Sequence, residues 1–238
     1  LFTISTPTVT HYKILSQYMR KKIMHLPNKI MFLFCILLCS HLKCSPVYII
    51  IHGTWAQHTA WYKKGGDFFD QLHAVAAPFG ARIESFMWSG KNNHTELLKS
   101  AHHLVHLIST YYAQDTITLI GHSHGANVGI LATQILAKTN ITIERFFALG
   151  APVLPEYYYP NMQVVQHFYH LFSFADIIQP VGGIFNREFC SHERLANIRV
   201  LINNNEPQHS GMHDPIIAKW IMLIHEGFLH IGQFGDFC

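Results

Sequence analysis

Charge is scarce in this 238-residue chain: Asp, Glu, Lys and Arg make up 13% of it, and the first 45 residues contain no acid at all. The formal net charge of +3 invites a nucleic-acid reading, but its distribution argues against one. Six cations, Lys13, Arg20, Lys21, Lys22, Lys29 and Lys43, lie within residues 1–45, which leaves the body with 11 cations against all 14 acids. The basic character belongs to the leader, so no nucleic-acid partner is expected. Long hydrophobic runs are missing too. Ile30–Cys39 is apolar over ten residues, about half of what a helix needs to cross a bilayer, and no other segment approaches a span. Internal repeats and low-complexity linkers are absent as well. What the chain does have is 49% apolar and 13% aromatic residues, enough for one well-buried domain and too much for a disordered chain.

Residues 24–45 have the anatomy of a secretory signal: a short positive region, the apolar stretch Ile30–Cys39 and a polar exit at Ser40–Ser45. Neither Ser40 nor Ser45 has a small partner two residues earlier, so the cleavage site is poor. Export is expected, through cleavage of this segment or with its retention as a route to membrane association. Met24 is an acceptable internal start, and residues 1–23 are expected to be an upstream stretch with no structural role. The domain expected to fold is 46–238. Loss of the leader leaves Cys190 and Cys238, a pair that an oxidising compartment could join.

In the body, apolar β-branched runs alternate with segments of helical period. Strands are predicted at Val47–Ile51, Arg82–Trp88, Thr116–Ile120, Ile143–Leu149, His170–Phe174 and Ile198–Ile202. Helices are predicted at Asp67–Ala77, Thr95–Tyr112, Ala126–Lys138 and Pro215–His225. In the second helix, Leu97, Leu98, Ala101, Leu104, Val105 and Ile108 form one stripe. In the last, Asp214 is placed to cap and Pro215 takes the first position. Alternation of this kind predicts an α/β fold, a doubly wound and mainly parallel sheet with helices on both faces.

The strand at 116–120 runs directly into Gly121-His-Ser-His-Gly125 and then into a helix. G-x-S-x-G in this context is a nucleophile elbow. The glycines keep a tight turn free of collisions, so the Ser123 hydroxyl stands proud of the sheet edge. The helix start and the His124 backbone N–H then face any oxyanion formed there.

These residues resemble the α/β-hydrolase superfamily, in particular its lipase- and esterase-like serine hydrolases, over about residues 47–226. The resemblance implies the chain order nucleophile, acid, histidine. It places the acid at Asp176, after a later strand, ahead of the rivals Glu156 and Glu188. It places the base on the loop before the last helix, at His209 or at His213, with His209 preferred. His52-Gly-Thr-Trp55 resembles the family's oxyanion loop and assigns a second donor to the Thr54 N–H, with Gly53 allowing close approach. The implied activity is hydrolysis of carboxylic esters, lipid esters among them, through an acyl-enzyme on Ser123. An amidase, a thioesterase and a non-catalytic binding protein on the same fold are the alternatives. No cofactor and no metal is called for: His102 and His106 have the spacing of a two-histidine site but lack the accompanying glutamate. His122 and His124 are expected to line the pocket, and Tyr157–Pro160 to wall it or to pack.

Overall fold

The computed structural model describes residues 45–182 and 186–225. The expected leader, apart from Ser45, and Cys238 lie outside these residues. Six strands, β1 (Val47–Ile51), β2 (Arg82–Phe86), β3 (Ile117–His122), β4 (Ile143–Leu149), β5 (Val165–Phe172) and β6 (Leu195–Arg199), form one sheet. All its pairs are parallel, in the order β2-β1-β3-β4-β5-β6. The helices are α1 (Asp67–Ala76), α2 (His94–Leu107), α3 (His124–Leu136), the short α4 (Ile178–Gly182) and α5 (Pro215–His225).

Burial explains the sheet. All five residues of β1 are buried, and they divide between two apolar layers. Val47, Ile49 and Ile51 pack with Leu97, Ala101 and Leu104 of α2 and Ile130 of α3. Tyr48 and Ile50 pack with Phe68 and Leu72 of α1 and Ile217 and Ile221 of α5. Successive strand residues point to opposite faces, so an unbroken apolar run requires cover on both sides. Each such side chain contributes about 1.5–3 kcal/mol on burial.

From β1 the chain goes outward to β2, returns past β1 to β3, and then builds the other half of the sheet. The winding therefore reverses between β1 and β3, where Ile51 pairs with Gly121. Crevices beyond the carboxyl ends of strands at such a reversal are where α/β sheets bind ligands.

β1, β4 and α5 match the sequence reading. Asp214 caps α5 as expected, its Oδ1 accepting the Ile216 N–H at 2.9 Å. Other expectations shift. β5 begins at Val165 rather than His170, because β4 supplies partners from Ile143↔Val165 to Leu149↔Leu171. β6 lies at Leu195–Arg199 rather than Ile198–Ile202, since its register follows β5 from Phe168↔Leu195 to Phe172↔Arg199. α2 ends at Leu107 and continues as one wide turn, Ile108–Tyr112. Leu98 is exposed and falls outside the expected stripe.

Candidate active site

β3 ends at His122 and α3 starts at His124, so Ser123 alone makes the turn. Its backbone sits at φ 54° and ψ −133°, a region that costs a non-glycine residue on the order of 1–3 kcal/mol. Surrounding structure holds it there: the Ser123 N–H donates to the Leu149 carbonyl at 2.9 Å and the Ser123 carbonyl accepts the Ala126 N–H at 2.9 Å. The flanking glycines are steric requirements. A Cβ on Gly121 would lie 2.5 Å from the Ala126 Cα, and one on Gly125 would lie 2.3 Å from the His52 carbonyl oxygen.

Asp176 follows β5 and is fully buried. Its Oδ1 accepts the N–H groups of Ile178 and Gln179, each at 3.0 Å. Its Oδ2 accepts from His209 Nδ1 at 2.7 Å. A carboxylate can only accept, so in the neutral ring the His209 proton stands on Nδ1 and Nε2 keeps its lone pair. Of the two histidines left open by the sequence, His209 is the one brought onto Asp176. His213 instead stacks on Trp61, with ring centroids 4.4 Å apart and planes 5° from parallel. Gly150, at φ 56°, backs the pair; a Cβ there would lie 3.0 Å from Asp176 Oδ2 and 3.5 Å from His209 Nδ1. Among the described residues Asp176, and neither Glu156 nor Glu188, bonds a histidine of this loop.

The acid loop is braced by residues that the sequence reading missed. Arg187 Nη1 donates to the carbonyls of Ser173 and Asp176, both at 2.8 Å. Glu206, three residues before His209, takes the Ala175 N–H and the Ser173 hydroxyl at 3.1 Å each, and also the Phe174 N–H. Its other oxygen takes Arg199 Nε at 2.7 Å. Glu206 thus ties the acid loop to the histidine loop. A single glutamate in a polar stretch carries no sequence pattern for such a role.

Ser123 and His209 line one cleft of about 430 Å³ with Gly53, Thr54, Trp61 and His213. His122 also lines it, and its Nε2–H donates to the His209 carbonyl at 3.0 Å. Complete burial holds His122 well below the ordinary histidine pKa, and the neighbouring His209 and His213 add to this. Burial lowers His213 to about 4. Both rings are therefore neutral at pH 7, and among the described residues no Asp, Glu, Lys or Arg lines the cleft.

His124 does not line this cleft; its Nδ1 accepts from the Asn127 amide at 3.2 Å, and burial, with His209 nearby, lowers it to about 4. The oxyanion-loop expectation at Thr54 meets one further feature: Thr54 Oγ1 is buried and has no hydrogen-bond partner among the described residues. Trp55, at φ 55°, follows it and gives its N–H to the Gly90 carbonyl at 2.9 Å. Of the Tyr157–Pro160 stretch, Tyr158 is buried in the core and Tyr157 is exposed; neither lines this cleft. His102, His103 and His106 lie exposed on α2.

A parallel sheet carrying a serine elbow after β3, an acid after β5 and a histidine after β6 invites comparison with solved structures. A lidless α/β serine hydrolase from Xanthomonas campestris matches with a TM-score of 0.53 at 12% identity, over 81% of this chain and 86% of that one. The chain has the α/β-hydrolase fold. Alpha/beta hydrolase domain-containing protein 10 from mouse shares it at TM-score 0.50 and 12% identity, over 79% of this chain and 92% of its own. An alpha-beta serine hydrolase homologue from Coxiella burnetii shares it at TM-score 0.50 and 14% identity, over 77% and 85%. No family model and no curated protein matches the sequence. At these identities the likeness speaks for the α/β-hydrolase fold, and the chemistry has to be argued from the residues.

Proposed function

We propose that this protein is a serine hydrolase that cleaves uncharged carboxylic esters through an acyl-enzyme on Ser123. The observation that carries the reading is the Asp176–His209 bond of 2.7 Å in the cleft that also holds Ser123. A serine hydroxyl is a weak nucleophile without a base. His209 Nε2, left unprotonated by the bond at Nδ1, is that base. It takes the Ser123 proton as Oγ bonds to the acyl carbon, and Asp176 stabilises the resulting imidazolium while staying ionised. The oxyanion develops between the N–H groups of Thr54 and His124; its collapse breaks the bond to the alcohol, which leaves with the proton from His209, and water activated by His209 then hydrolyses the acyl-enzyme and releases the acid. Preference for a neutral substrate follows from a cleft in which His122 and His213 are uncharged and whose described walls carry no Asp, Glu, Lys or Arg. A buried charge without a partner would cost several kcal/mol.

The solved structures of like fold include serine hydrolases, which supports the same reading. The positive and apolar pattern of residues 24–45 supports export of the enzyme; among the described residues no helix is long and apolar enough to cross a membrane.

Labelling with a fluorophosphonate, together with hydrolysis of p-nitrophenyl butyrate, tests the reading on the wild type and on Ser123→Ala. The expected result is labelling and turnover in the wild type alone. Equal labelling of both proteins, or labelling of neither, defeats it.

A further inference from the structure

A second cleft, of about 360 Å³, meets the first at His209 and Ser210. Its remaining walls are Ala175, Ile177, Ile178 and Gln208. The two clefts differ in what they contain. The first holds Ser123 and the Thr54 loop. Among the described residues the second holds nothing of the elbow or of the oxyanion loop, and His209 is the one group there able to act on substrate.

Its apolar wall is held open to solvent. Ile177 is 73% exposed and Ile178 55%, with Val181 at 76% on the turn that follows. Single exposed aliphatics are ordinary, whereas a cluster of them beside a reactive group marks a binding surface. The wall is also fixed in place. The Ile178 N–H is bound by Asp176 Oδ1, and Arg187 holds the carbonyls of Ser173 and Asp176 just before it.

We infer that the second cleft is the leaving-group site and takes an apolar alcohol, while the first takes the carbonyl and the acyl group. This rests on the hydrolase reading and adds the chemistry of the alcohol to it. When the tetrahedral adduct on Ser123 collapses, the bond from the acyl carbon to the alcohol oxygen breaks. That oxygen receives the proton that His209 took from Ser123, so it must lie at His209. The carbonyl oxygen is held in the first cleft by the Thr54 loop. The rest of the alcohol therefore extends from His209 along Ile177 and Ile178, where it meets hydrocarbon and only Gln208 and Ser210 as polar partners. A charged or sugar-like alcohol has no counterpart there.

Two matched ester series test the assignment on the full chain. One keeps the acetyl group and lengthens the alcohol from methanol to hexanol. The other keeps methanol and lengthens the acid from acetic to hexanoic. In the wild type, kcat/KM is expected to rise by up to about four-fold per methylene along the alcohol series. The double variant Ile177→Ser with Ile178→Ser flattens that rise and changes the slope of the acid series by less than two-fold. Ile178→Trp, which fills the cleft, stops the rise at short alcohols and supplies a second check in a more apolar variant. Ser123-dependent labelling with a flat alcohol series, or with an alcohol slope that survives in both variants, overturns the leaving-group assignment alone. Absence of Ser123-dependent labelling overturns the hydrolase reading and this assignment with it.

Discussion

Asp176→Asn is the substitution whose consequence the geometry sets most tightly. Asp176 Oδ1 faces two backbone donors, the N–H groups of Ile178 and Gln179, both at 3.0 Å. An amide at 176 must turn its oxygen toward them, because its NH₂ would leave two donors facing a donor. The NH₂ then points at His209 Nδ1, where the carboxylate now accepts at 2.7 Å. Two donors cannot share that bond, so His209 moves its proton to Nε2 and can no longer take one from Ser123. A wrong tautomer at this place costs about 10⁴ in kcat, or about 5.5 kcal/mol. The fold should tolerate the change, since both backbone bonds survive in neutral form and the loss is about 1–2 kcal/mol. The assay is kcat for an ester on the purified variant, with near-UV circular dichroism and a thermal melt to show an intact fold. A kcat within ten-fold of the wild type, in a variant that is folded, refutes both the amide-orientation argument and the assignment of Asp176.

Other expectations are sharper in direction than in size. His209→Ala should abolish esterase turnover, whereas His213→Ala should lose only the Trp61 stack and raise KM about two- to ten-fold; the reverse pattern in steady-state kinetics moves the base to His213. Glu206→Ala should lower kcat about ten-fold with little change in KM, because it frees the acid loop that Glu206 ties to the histidine loop, and Glu206→Gln should recover most of the loss; kinetics showing a pure KM effect would remove its positioning role. Thr54→Val keeps the backbone N–H and removes the buried, unpartnered Oγ1; if that hydroxyl also donates to the oxyanion, kcat falls about ten- to a hundred-fold, and an unchanged kcat limits Thr54 to its N–H. Finally, burial lowers His170 and His213 to about 4, below the 6.5 of an unfolded chain. The unfolded state therefore binds these protons first, so stability is full above pH 6.5 and falls as pH drops toward 4. Thermal melts should show Tm lower by on the order of 10 °C at pH 4 than at pH 7, and a flat profile would contradict the burial of these rings.

Much of the site was legible because local chemistry specifies it. The Gly121–Gly125 turn needs glycines where a Cβ would strike backbone, and the apolar run Val47–Ile51 needs cover on both faces. Asp214 and Pro215 announce the start of α5 through capping geometry, which depends on a few adjacent residues. Strands away from the centre were read less well. Gln166 and His167 interrupt the apolar pattern of β5, yet the strand begins at Val165 because β4 supplies partners from Ile143↔Val165 to Leu149↔Leu171. Val200–Ile202 looks like strand but follows the end of β6, whose extent is set by β5.

By itself, then, the sequence determined the α/β alternation and the serine elbow, which follow from steric, capping and periodicity rules that act over a few residues, and the concentration of positive charge ahead of the body, which is composition alone. The order of serine, acid and histidine was implied by the resemblance to a known family. Only the tertiary structure brought His209 rather than His213 onto Asp176, a carboxylate 33 residues earlier in the chain. Likewise it alone brought Glu206 and Arg187 onto the acid loop and set Gly150 behind the Asp176–His209 pair. Contacts of that kind arise when separate strands end at one edge of a sheet, and no spacing along the chain encodes them.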